Sequence, residues 1–173
     1  MFFNFHKPEK FKMELCIFLF ISLANIVMVS FAVPLSKIGY RTWAFFFVNI
    51  SYFMLHEADM KRKFCKLAFG ATFGCLLAFM TEWLSVNVLH HMFGHYGIIL
   101  PIIFSLACVI LVGPIMPMFF NAVTFLYFAA SLIVGADAIG NVGPNILFAI
   151  LGVIVLDGGC YLIINHFEKK KEQ

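Results

Sequence analysis

Charge is what this sequence has least of. Only 12% of its 173 residues are Asp, Glu, Lys or Arg, while 62% are hydrophobic. A soluble domain has about 25% charged and about 45–50% apolar residues, so a freely soluble globular protein is excluded. The five cysteines, Cys16, Cys65, Cys75, Cys108 and Cys160, never fall at Cys-x-x-Cys spacing, and they read as small hydrophobes inside packed helices. There is no glycine-rich phosphate loop and no Ser-His-Asp arrangement. No cofactor, no enzymatic activity and no nucleic-acid partner is expected. An intramembrane aspartyl hydrolase would need two carboxylates sharing one site. The only candidates, Glu82 and Asp157, are expected on opposite sides of the midplane.

What the chain has is apolar length. Segments 13–38, 41–56, 64–89, 96–115, 118–134 and 144–166 are long and apolar, and a span needs about 17–25 such residues. They predict an all-α membrane protein of six transmembrane helices, since a β-barrel would show alternating strands of about ten residues. The first run is too long for a cleavable signal. Residues 1–12 then form an interfacial N-terminal segment, 13–89 one three-helix half, and 90–95 a His-rich external loop. Residues 96–166 form the second half and 167–173 a basic tail.

Lys7, Lys10, Lys12, Lys61, Arg62, Lys63, Lys66, Lys169, Lys170 and Lys171 fall on one side of such a topology, with only Lys37 and Arg41 on the other. The positive-inside rule places both termini in the cytoplasm of a cell whose inner membrane holds the protein. Lys37, Arg41 and Lys66 stand only near the ends of their segments and no Lys or Arg lies deeper, so no fixed cation is expected beside an intramembrane acid.

A shift of 75 residues aligns spans one to three with four to six without a gap. Tyr52-Phe53 falls on Tyr127-Phe128, Phe45 on Phe120, Phe73 on Phe148, and Glu82 on Asp157. Three spans per half force the halves into opposite senses, an inverted repeat with a solute site expected near the midplane and in the short spans two and five. Sixteen residues rise about 24 Å, less than the ~30 Å core.

Intramembrane ionisable residues mark function by default. Glu82 and Asp157 read either as a solute or proton site, or as protonated groups hydrogen-bonded between helices. Asn49 and Asn121 either line a path or join helices. Tyr52, Phe53, Tyr127 and Phe128 read either as a constriction or as aromatic filling. His90, His91 and His95 offer a weak pH-sensing or metal-binding pattern against an exposed loop. Gly70 and Gly74 form a Gly-x-x-x-Gly pair suited to close helix packing; that surface, and the little interior that six short helices enclose, favour a homo-oligomer.

Trp43, Ala44, Phe45, Phe46 and Phe47, then Ser51, Tyr52 and Phe53, then Gly70 and Gly74 in the following span, resemble a small bacterial inner-membrane family, the domain of unknown function 1097. Phe119, Phe120 and Asn121 through Tyr127, Phe128 and Ala129 are similar to it too. The resemblance brings no activity. The residues themselves point to a channel or permease for a small polar solute in the lipid bilayer. The alternative is a non-transporting scaffold or sensor subunit of a larger complex.

Overall fold

The computed structural model describes residues 8–30, 42–55, 57, 59–133 and 138–169. Lys7, Lys37, Arg41, Lys170 and Lys171 of the charge pattern lie outside them. The described residues are helical almost throughout and contain no strand. Helix α1 is Pro8–Ser30 and α2 is Thr42–Met54. Helix α3 runs Met60–Phe93 and α4 Tyr96–Val112. Helix α5 is Ala122–Ile133, and α6 combines Ala138–Gly152, Val153–Asp157 and Gly158–Lys169. Three stretches, Phe11–Ser30, Met60–Phe93 and Gly140–Lys169, are long and apolar enough to cross a membrane. Helices α2, α4 and α5 are apolar but shorter.

Several boundaries differ from the sequence expectation. Helix α3 starts at Met60 because the Asp59 side chain accepts from the Lys61 amide at 3.0 Å, satisfying one of the unpaired amides of the first turn. At its other end α3 does not stop at residue 89. A π-helical turn, Ser85–Leu89, leads into a last turn, His90–Phe93. His90 and His91 are therefore helical rather than in a loop, and the chain breaks only at Gly94, whose φ of 57° suits a residue without a Cβ. Helix α6 begins before Pro144 rather than at it.

Helix directions follow from the contacts. Helix α4 returns along α3, with Gly97 against Leu89 and Ser105 against Thr81. Helix α5 runs parallel to α3, since Gly70 faces Asn121 and Val123 while Gly74 faces Thr124 and Tyr127. Helix α6 runs parallel to α2, with Gly152 against Phe45 and Val48, and Asp157 and Cys160 near Tyr52. Helix α3 packs chiefly on α5 and α6, α2 on α6 and α5, and α1 lies outside against the end of α6. The shared core holds Phe45 and Val48 of α2, Leu67 and Cys75 of α3, Tyr127 of α5 and Leu156 of α6.

The closest approach lies between α3 and α5. A Cβ on Gly74 would stand 2.5 Å from the Thr124 carbonyl oxygen, and one on Gly70 would stand 2.8 Å from Asn121 Oδ1. The Gly-x-x-x-Gly pair is thus consumed within the chain. It is not a free surface for a second copy, which removes one ground for a homo-oligomer and leaves the other, the little interior that six short helices enclose.

Gly74→Ala is accordingly expected to lower stability by about 1–3 kcal/mol, the cost of overpacking. Gly140→Ala, in a helix and with a Cβ that would meet nothing, should leave stability unchanged or raise it by up to about 1 kcal/mol. Thermal unfolding in detergent micelles compares them, and equal effects would contradict the α3–α5 contact.

Candidate functional site

Most of the polar groups at depth are bound within the protein. Asn121 starts α5. Its Oδ1 accepts from the Val123 amide at 2.8 Å and from the Thr124 amide at 3.3 Å, and its own amide donates to Thr124 Oγ1 at 3.2 Å. This reciprocal pattern is a capping box with threonine in the third position. Asn121 Nδ2 also donates to the Lys66 carbonyl at 3.3 Å, which ties the start of α5 to α3. Tyr127 is fully buried and donates to the Ala44 carbonyl at 2.6 Å, while Trp43 and Phe47 lie against its ring at 5.8 and 6.4 Å between centroids. Phe128 is buried beside Gly74. Phe53 is 62% exposed. The second aromatic pair is core and the first is split, so the four rings do not form one constriction.

Glu82 is half-buried, next to buried Thr81, which shares a 2.8 Å hydrogen bond with Ser105 of α4. It does not line the cavity that Asp157 lines. Lys63, beside Asp157, and Glu82 are nineteen residues apart on α3, or about 28 Å of helix rise. The two acids belong to opposite ends of the bundle and do not share a site. His90 borders a separate cleft of about 370 Å³ with Ser85 and Gly94. His95 falls in the turn Gly94–Ile98, and its side chain lies outside the described residues. No group of three metal-binding side chains occurs among the described residues.

Asp157 is different. It ends a π-helical turn, Val153–Asp157, in the middle of the apolar α6, and such turns often stand at functional positions. The residue is 4% exposed, and neither carboxylate oxygen has a hydrogen-bond partner among the described residues. It lines a cavity of about 720 Å³ with Asp59, Lys61, Lys63, Phe64 and Tyr161. The cavity therefore lies at the lysine-rich end of the bundle. The expectation that no cation stands near either acid is corrected here. Lys63, counted by sequence only among the charges of the cytoplasmic side, sits in the first turn of α3. Its Nζ lies 3.6 Å from the centre of the Tyr52 ring, within Coulombic reach of Asp157.

Other unsatisfied polar atoms lie on the same two parallel helices. Trp43 Nε1, Asn49 Oδ1 and Ser51 Oγ of α2 and Asn145 Oδ1 of α6 are buried without hydrogen-bond partners among the described residues. Asn49 is only partly satisfied, its Nδ2 donating to Asn25 Oδ1 of α1 at 3.2 Å. Buried polar atoms are rarely left unpaired, so four such atoms on α2 and α6, beside the two of Asp157, mark a polar seam. Asp157, Asn49 and Tyr52 were marked in the sequence. Lys63, Ser51 and Asn145 were missed. A signal existed for Lys63, because only a few residues separate Met54 at the end of α2 from Met60 at the start of α3, which brings the residues on either side together.

At the mouth of this end, Lys66 donates to Glu57. That hydrogen bond, with the nearby Lys66 and Arg62 charges, holds the Glu57 carboxyl below its ordinary range. A lowered folded-state value contributes stability above the unfolded carboxyl range near ~4.3, and that contribution is lost as pH falls through the lowered value. Glu57→Gln should flatten this acid limb of a stability–pH profile; an unchanged limb would contradict the pair. Asn121→Ala should cost about 1 kcal/mol as a lost cap, seen in thermal unfolding. No protein-family model, no curated protein and no solved structure matches this chain, so what it does has to be argued from Asp157 and its neighbours.

Proposed function

We infer that the chain is a six-span membrane protein that moves a small polar solute, with the Asp157 cavity as the solute's binding chamber on the lysine-rich, cytoplasmic side. The observation that carries this reading is one residue. A buried carboxylate with both oxygens unsatisfied is costly in an apolar bundle, yet it lines a cavity large enough for a small molecule. The seam of Asn49, Ser51 and Asn145 along α2 and α6 offers the onward route.

The inverted repeat belongs to the same reading. A two-fold axis in the membrane plane would exchange α1 with α4, α2 with α5 and α3 with α6. Under that exchange the parallel α3–α5 contact maps onto the parallel α2–α6 contact, and α1–α6 maps onto α4–α3. Both members of each pair occur. The acids support it as well, since each stands at or near a π-helical turn, one toward each end.

Proteoliposome swelling tests the reading, with glycerol, glycine and methylammonium chloride as probes. At least one should permeate faster than through protein-free vesicles. Asp157→Asn should cut that rate tenfold or more while leaving the thermal unfolding temperature near wild type, and Glu82→Gln should change it less. If no probe moves faster, or if Asp157→Asn is silent, the scaffold alternative takes over.

A further inference from the structure

The geometry points to an organic ammonium ion, a primary amine on an apolar body, as the ligand of the Asp157 cavity. This rests on the reading of that cavity as a solute chamber and deepens it. The carboxylate is 4% exposed, with neither oxygen satisfied among the described residues, so it calls for donors. A neutral hydroxyl brings one donor; an ammonium brings three and the opposite charge. Asp59 and Asp157 line the cavity with Lys61 and Lys63; of these charges the Asp157 carboxylate is the buried one with no partner among the described residues, so a cation rather than an anion suits it. The walls decide the rest of the molecule. Met60, Phe64, Cys65 and Tyr161 line the cavity, giving two aromatic side chains and two soft apolar ones for a hydrocarbon body.

Lys63 defines the competition. Its ammonium rests on the Tyr52 ring at 3.6 Å, a cation–π placement that leaves the Asp157 oxygens without a donor. It is a tethered cation held beside a site for a free one. Lys63 lines the same cavity as Asp157 and acts on its charge, so its ammonium competes with a free amine for the carboxylate. Removing the Lys63 charge therefore favours the free ligand, whereas removing the Asp157 charge abolishes the attraction.

The test is calorimetric titration of the full chain in detergent micelles with benzylamine and with benzyl alcohol, its neutral counterpart of similar shape, against protein-free micelles. Benzylamine should bind at least tenfold more tightly than benzyl alcohol. Asp157→Asn should weaken benzylamine tenfold or more without affecting benzyl alcohol. Asp157→Glu should recover part of the loss, and Lys63→Gln should tighten benzylamine threefold or more. Equal binding of the two probes would reduce the site to an apolar hollow and overturn the proposal. So would undetectable binding of benzylamine, or an Asp157→Asn protein that melts normally and binds it as wild type does. If Asp157→Asn fails to fold, the Lys63→Gln result decides: unchanged or weakened affinity overturns the proposal. Binding here needs no gradient, so benzylamine binding without flux would sink the permease reading alone. Asp157-dependent flux without amine binding would sink this inference alone.

Discussion

A polar group placed at depth in an apolar bundle has to find its partner inside the protein, because hydrocarbon supplies none. That constraint explains most of the internal structure. Tyr127 spends its hydroxyl on the Ala44 carbonyl. Thr81 and Ser105 satisfy each other across α3 and α4. Asn121 distributes its amide between the start of α5 and the backbone of α3. Each bond also fixes a helix pair, so satisfying the polar atoms and assembling the bundle are one process. The same constraint makes α2 and α6 conspicuous, since the unsatisfied atoms of Asn49, Ser51, Asn145 and Asp157 lie there.

The packing keeps that seam in place. Gly70 and Gly74 let α5 press onto α3, and Gly152 lets α2 press onto α6. The short helices α2 and α5 each lie parallel to a long one, and α3 and α6 meet between them. Asp157 reaches the cavity from a π-helical turn, which adds a residue to the helical repeat and re-aims the side chains around it. Lys63 arrives from the first turn of α3, beside the Asp59 cap. A strand of cause thus runs from a capping aspartate and a widened helical turn to a cation and an anion facing one chamber.

Much of this was legible in the sequence, and the parts that were not have physical reasons. Apolar length alone predicts helices near the observed positions. Asp157 stands out because a carboxylate in such a run is costly. Asn121 carries the signature of a cap, yet in an apolar segment the same residue reads equally as a path-lining amide; only the neighbouring amides decide. Tyr52-Phe53 and Tyr127-Phe128 look equivalent under the 75-residue shift, but Phe53 is exposed and Phe128 buried, because α2 and α5 present different faces to their neighbours. Lys63 was hidden by its charge. A lysine next to a turn counts as solvated until the facing helix is known, and the long side chain then reaches inward across several ångströms. The histidines were misplaced because Gly94 does end the helix, but only after His90 and His91 have joined it.

The chamber's opening toward the lysine-rich end is the claim on which the functional reading stands, and a native residue reports on it. Cys65 lines the cavity and is half-buried, whereas Cys160 is buried. Single-cysteine proteins retaining one or the other, in vesicles of known orientation, can be treated with a membrane-impermeant maleimide from each side in turn. If the chamber opens as described, Cys65 reacts from the side of Lys61 and Lys63 only, and much faster than Cys160. Reaction of Cys65 from the opposite side, or at the rate of Cys160, would contradict it.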